Sequence, residues 1–91
     1  MYEVVIKKKI VKKATTLPKE IFQKFRQLVE EIKVQGPVRS NWSNYGILKG
    51  TNTHHCHLSL KWVACWVETE QGIQVEVTYV GSRESAPYAK N

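Results

Sequence analysis

Ninety-one residues, 42% of them hydrophobic and three of them tryptophan, are enough for one small domain, residues 1–91, with a single core. Lys and Arg number 14 against 8 acidic residues, and a formal charge of +6 favours a polyanionic partner, nucleic acid foremost. No run of about 18 apolar residues exists, the basic N-terminus lacks a secretory h-region, and two cysteines make no disulfide framework, so the expected home is a reducing cytoplasm with no membrane association.

Tyr2–Lys7 (YEVVIK) is β-rich and predicts a first strand. Residues 7–13 (KKKIVKK) hold Lys7, Lys8, Lys9, Lys12 and Lys13, while Ile10, Ala14 and Leu17 recur at helical spacing. A short helix with a lysine-rich outer face follows. Pro18 then opens a longer helix. In it Ile21, Phe22, Phe25, Leu28, Val29 and Ile32 form one apolar stripe at a 3.6 period, until Gly36-Pro37 ends it. The stripe belongs to the core.

Residues 36–46 (GPVRSNWSNYG) read as a loop whose Trp42 and Tyr45 either pack on the sheet edge or stack on a base, with packing the expectation. Three strand-like runs follow at His54–Leu60, Trp62–Val67 and Ile73–Val80, with a tight link at Lys61 and a hairpin turn at Gln71-Gly72. A short run at Gly46–Lys49 adds a fourth candidate strand. The tail, residues 81–91, is polar and carries Arg83 and Tyr88. The order predicts an α+β fold: an N-terminal strand, one or two helices, then an antiparallel meander of three or four strands with the helices on one face. The other sheet face is expected to meet water or a partner.

All three histidines and one cysteine fall in Thr53–Leu58 (THHCHL). Side chains alternate across a strand. Cys56, Leu58 and Leu60 therefore share the helix-facing parity. His55 and His57 stand on the other face, about 7 Å apart by strand geometry. His54 takes the core parity at the strand's margin. Parity also removes Cys56 from any metal site shared with His55 and His57. A zinc site needs three or four protein ligands, and Cys65 sits in an apolar run, so no metal is expected. Both cysteines read as buried, which disfavours a thiolate nucleophile. Two imidazoles on an open face of a basic protein instead suit proton transfer and phosphate binding, the chemistry of RNA cleavage by 2′-hydroxyl attack.

The succession YEVVIKK, LPKEIFQKFRQLVEEI, YGILKG, HHCHLSLKWVACWVE and IQVEVTYVGSRESAPY resembles the RelE/ParE toxin superfamily, over Tyr2–Tyr88. The resemblance rests on LKG, a basic-x-basic-Leu strand, a hydrophobic strand ending in Glu, and V-G-x-R-E with a tyrosine beyond it. It implies a bacterial toxin with a cognate antitoxin protein. The RelE-like branch cuts mRNA on the ribosome without metal or cofactor; the ParE-like branch poisons DNA gyrase; a degenerate member would only bind antitoxin or RNA.

Carried over by position, the resemblance puts His55 and His57 where RelE-like enzymes have two lysines. It puts Arg83 at the family's phosphate-binding arginine and Tyr88 at its near-terminal tyrosine, here spaced one residue closer. A further family arginine falls at Val63, so that charge is absent, and Lys61 or Lys49 is expected to take its load. Lys7, Lys8, Lys9, Lys12 and Lys13 are expected to hold ribosomal RNA phosphates without reading sequence.

Overall fold

The computed structural model describes residues 1–69 and 74–89. Five strands and two α-helices follow in the order β1 (Glu3–Ile6), α1 (Lys8–Thr15), α2 (Lys19–Gln35), β2 (Gly46–Ile47), β3 (Thr53–His57), β4 (Trp62–Glu68) and β5 (Gln74–Ser82), with a 3-10 turn at Pro87–Ala89. This is the expected α+β arrangement. One mixed sheet runs β1-β5-β4-β3-β2. The meander β2–β5 is antiparallel, and β1 adds parallel to β5, from Glu3 opposite Gln74 to Ile6 opposite Val77. The expected turn at Gln71-Gly72 and the expected strand start at Ile73 lie outside the described residues.

The helical stripe behaves as its spacing dictates: Phe25, Leu28, Val29 and Ile32 are buried, and Ile21 and Phe22 are half-buried at its entrance. Gly36 ends α2 at φ 98°, with its N–H on Ile32 O at 2.8 Å. A Cβ there would stand 2.8 Å from the Tyr2 ring, so both the backbone and the packing require glycine. The core lies between the helices and one sheet face, built from Ala14, Leu28, Ile32, Cys56, Leu58, Trp66, Val75, Val77 and Val80. Each large apolar side chain fully buried there contributes roughly 1.5–3 kcal/mol. Trp66 also donates its Nε1–H to Pro37 O at 2.9 Å, which ties the loop after α2 to the sheet.

Three sequence expectations change. The strand expected over His54–Leu60 ends at His57, because Leu58 and Ser59 N–H both turn onto Trp62 O. The alternation therefore stops, and Leu60 is 78% exposed rather than core-facing. Second, β5 does not alternate throughout. Cys65 pairs with Tyr79 but Trp66 pairs with Val77, so Thr78 is an extra residue in a bulge. The bulge turns Tyr79 and Gly81 to the face opposite the helices and Val80 into the core. Third, the face away from the helices is not open at its centre. Val63 and Cys65 lie on it fully buried, beneath the returning C-terminal segment that carries the buried Ala86 and the half-buried Tyr88.

Candidate functional site

β3 presents His55 and His57 on the face away from the helices, where each is half-buried, while Cys56 between them is fully buried in the core. Pairing sets two rows across this face: His57, Val63 and Gly81, and one step along, His55, Cys65 and Tyr79. His57 is held at its backbone by an N–H bond to Ser43 O at 2.8 Å. His55 stacks on Tyr88, ring centroids 4.9 Å apart and planes tilted by 36°.

The tail closes over the site through bonds donated by its main-chain N–H groups. Arg83 N–H donates to Lys61 O at 2.7 Å, Ala86 N–H to Arg83 O at 3.3 Å, and Ser85 N–H to Ser82 Oγ at 3.3 Å. These bonds put Arg83 and Lys61 at the His57 end of β3, both exposed. Arg83 lies close enough to Tyr88 for its charge to favour the phenolate, although burial wins and Tyr88 stays raised above its ordinary value. The buried Tyr88 hydroxyl and the buried His55 Nδ1 have no protein partner among the described residues. Such atoms are rare, because each forfeits a hydrogen bond available in water.

Burial, with a smaller contribution from the neighbouring His57 charge, holds His55 below the usual imidazole value of 6.5. It is thus neutral at pH 7 and able to accept a proton. His54, expected at the margin, is instead 5% exposed within the core. Its Nδ1 is 2.8 Å from Tyr45 Oη, and its ring stacks on Trp66 at 5.8 Å with planes only 10° apart. Burial lowers its value too, against the opposing pull of Glu68. His54 is a structural histidine. Cys56 and Cys65 are free and buried, with burial first among the causes that push each thiol up to about 12. Neither can serve as a thiolate near neutral pH. Among the described residues, no group of three or more His, Cys, Asp and Glu side chains is placed to hold a metal ion, and no helix is long and apolar enough to cross a membrane.

Lys13 reaches the candidate face from α1. Its Cε lies 3.4 Å from where a Cβ on Gly81 would stand, beside Tyr79 Oη at 2.8 Å from the same point. Tyr79 donates its hydroxyl to Ser82 O at 2.8 Å, bracing the turn that leads into Arg83. Lys7 pairs with Glu76 at 3.5 Å. Lys8, Lys9 and Lys12 are exposed on α1. Lys49 sits in the turn closed by Thr51 N–H on Leu48 O, at the end of β3 away from His57, and so does not join the pair. Val63 is fully buried between His57 and Gly81 and leaves no space for an arginine.

Sequence reading missed Tyr79 and Glu31. Tyr79 is two residues before Gly81, and strict alternation would have sent it into the core; only the bulge brings it out. Glu31 anchors the loop after α2. Its Oε1 accepts from Arg39 Nη1 (3.0 Å), Asn41 Nδ2 (3.1 Å) and Trp42 Nε1 (2.8 Å), and its Oε2 accepts from Gln27 Nε2 (3.2 Å). Burial alone would raise this carboxyl, but the hydrogen bonds from Asn41, Trp42, Gln27 and Arg39 prevail and bring it down to about 2. Trp42 and Tyr45 pack against the core as expected.

A two-helix layer on one face of a five-stranded mixed sheet is the RelE-type α+β fold. Solved structures carry the comparison. A chain of the archaeal RelE–RelB complex from Pyrococcus horikoshii superposes with a TM-score of 0.75 at 19% identity, covering 93% of this chain and 98% of that one. The isolated RelE toxin of E. coli gives 0.74 at 14% identity, over 97% and 90%. A chain of the YoeB–YefM complex from Staphylococcus aureus gives 0.67 at 9% identity, over 88% and 94%. No protein-family model matches this chain, and no curated protein matches it by sequence.

Proposed function

We propose that the chain is the cytoplasmic toxin of a toxin–antitoxin pair and cuts messenger RNA on the ribosome by 2′-hydroxyl attack, without metal or cofactor. The observation that carries this reading is the convergence of His55, His57, Arg83 and Tyr88 on one face of a basic protein whose fold is shared with RelE toxins. His55, neutral at pH 7, takes the proton of the 2′-hydroxyl as that oxygen bonds to phosphorus. His57 gives a proton to the departing 5′-oxygen as its bond to phosphorus breaks. The products are a 2′,3′-cyclic phosphate and a 5′-hydroxyl. Arg83 meets the phosphate oxygens with its planar fork. Lys13, reaching over Gly81 from α1, supplies the positive charge that Val63 does not.

Tyr88 closes over His55 in the free protein. Its phenol has no hydrogen-bond partner among the described residues, so moving it off the imidazole to admit RNA costs ring packing, and it then stacks on a base. Lys7, Lys8, Lys9 and Lys12 on and beside α1, together with Lys61, hold RNA phosphates. The antitoxin partner masks this charge, as RelB and YefM are bound in the solved complexes of the related folds.

The test adds purified protein to programmed 70S ribosomes and maps mRNA ends for wild type, His55→Ala, His57→Ala and Arg83→Ala. Wild type should cut, and each variant should lose about 10²-fold or more in rate. A message left intact by wild type, with and without ribosomes, rejects the nuclease reading. Variants that cut normally reject the residue assignment.

A further inference from the structure

Beside His57 lies a second feature that proton transfer does not use. A pocket of about 410 Å³ opens between α2, the loop after it and the end of β3, lined by Lys24, Gln27, Asn41, Trp42, Asn44 and His57 among others. That volume falls in the range of small-ligand sites.

Its lining is built, not incidental. The Glu31 carboxylate, with nothing to donate, takes the Trp42 indole N–H at 2.8 Å, one amide N–H of Asn41 at 3.1 Å and one of Gln27 at 3.2 Å. This fixes which way both amides point. Each turns its NH₂ towards Glu31 and keeps a carbonyl oxygen with no protein partner among the described residues. The half-buried Trp42 indole supplies a flat wall. Lys24, exposed on α2, brings a positive charge, and His57 belongs to the candidate catalytic pair.

An aromatic wall, free amide acceptors and a cation beside a phosphate-handling histidine are the features by which proteins hold a splayed-out RNA base. We propose that this pocket is a nucleobase site that takes the base adjoining the scissile phosphate and prefers bases with an exocyclic amino group, adenine, cytosine and guanine, over uracil. The physical reason is the fixed amide orientation. Gln27 Oε1 and Asn41 Oδ1 accept from an exocyclic amino group, whereas uracil offers them a single N3–H flanked by two carbonyl oxygens that repel the amide oxygens. The inference rests on the nuclease reading for its placement on RNA but makes a binding claim that can be tested without it.

The experiment titrates the whole ¹⁵N-labelled chain with AMP, CMP, GMP and UMP separately. It follows the Trp42 indole N–H signal and the Asn41 and Gln27 side-chain amide signals, each assigned by substitution. The expected result is movement of all three with AMP, CMP and GMP, and about tenfold weaker binding of UMP. Asn41→Ala and Gln27→Ala should each narrow that difference. Lys24→Glu should weaken all four, its fold checked by the dispersion of the remaining indole signals. UMP binding as tightly as the others overturns the base preference, and no movement at Trp42 with any nucleotide overturns the site. Cleavage on programmed ribosomes is run alongside. A message cut normally with no nucleotide response at Trp42 rejects the pocket and keeps the nuclease. A Trp42 response with an intact message keeps the pocket and rejects the nuclease.

Discussion

His55 and Tyr88 lie ring against ring, 4.9 Å between centroids, with the imidazole Nδ1 and the phenol oxygen both buried and both without a protein partner among the described residues. Two orphaned polar atoms in one contact lower stability, by about 1 kcal/mol or more for each. Selection for stability alone would have replaced this tyrosine with phenylalanine. Tyr88→Phe keeps the stacking and removes the orphan hydroxyl. Its melting temperature should be equal to or above wild type, while cleavage of ribosome-bound mRNA stays near wild type, because the ring that stacks on a base is kept. A variant that melts lower and cuts normally would mean that the hydroxyl is structural.

The pH dependence follows from the buried His54 and the half-buried His55. Each has a folded value below 6.5, with burial as the first cause. On acidification the unfolded chain takes up protons before the folded one does. Their stabilising contribution is therefore complete above pH 6.5 and is lost as pH falls through the folded values. A base must be neutral to act, so the acid limb of single-turnover cleavage should have its midpoint below pH 6.5. A midpoint above 6.5 would exclude His55 as the base. His54→Gln should flatten the acid-side loss of stability without moving that limb, because His54 lies on the core face against Trp66.

Gly81 is the meeting point of Tyr79 and Lys13. A Cβ there would stand 2.8 Å from Tyr79 Oη, which no rotation of a methyl group relieves. Gly81→Ala should destabilise the fold by about 1–3 kcal/mol through overpacking. It should also slow cleavage by breaking the Tyr79–Ser82 bond that leads into Arg83. Thermal unfolding and end-mapping on the same samples separate the two effects.

Lys13→Ala tests the charge that replaces the arginine absent at Val63. Lys13 is exposed and the substitution favours helix, so the melting temperature should hold. Cleavage should fall by about 10²-fold if the ammonium faces the reacting phosphate. Unchanged cleavage would leave the missing charge to Lys61.

How much of this was legible follows from which residues obey a period. The α2 stripe and the parity of His55, Cys56 and His57 could be read directly, because helix and strand geometry fix where successive side chains go. Tyr79 could not, because one extra residue at Thr78 reverses parity for the rest of β5 and no local composition announces the bulge. The buried state of the central face could not either. Residues 81–91 read as a polar tail, and nothing in its composition announces the Arg83–Lys61 backbone bond or the Tyr88–His55 contact that bring it back against the sheet. Lys49, expected with Lys61 as a substitute for the charge absent at Val63, sits in the turn at the end of β3 away from His57. The Glu31 hub draws on residues up to eleven positions away, and no short motif encodes that.

Glu31 connects loop stability to the site. Its carboxylate holds Arg39, Asn41 and Trp42, and the same loop presents Ser43 O to the His57 N–H. The side chain is 22% exposed, and of its bonds those to Arg39 and Trp42 are partly shielded from water. Its folded value of about 2 lies below the ordinary 4.5. The stabilisation is therefore present above pH 4.5 and is lost as pH falls towards 2. Glu31→Gln keeps the shape and removes the charge. At pH 7 it should cost about 2 kcal/mol in denaturant unfolding, and the gap to wild type should shrink steadily below pH 4.5. A gap that persists undiminished at pH 2 would assign the loss to shape and not to charge. Because the loop also places Trp42 and the Ser43 contact to His57, Glu31→Gln should slow cleavage at pH 7 more than its stability loss accounts for. The comparison is made at a temperature where both proteins are folded.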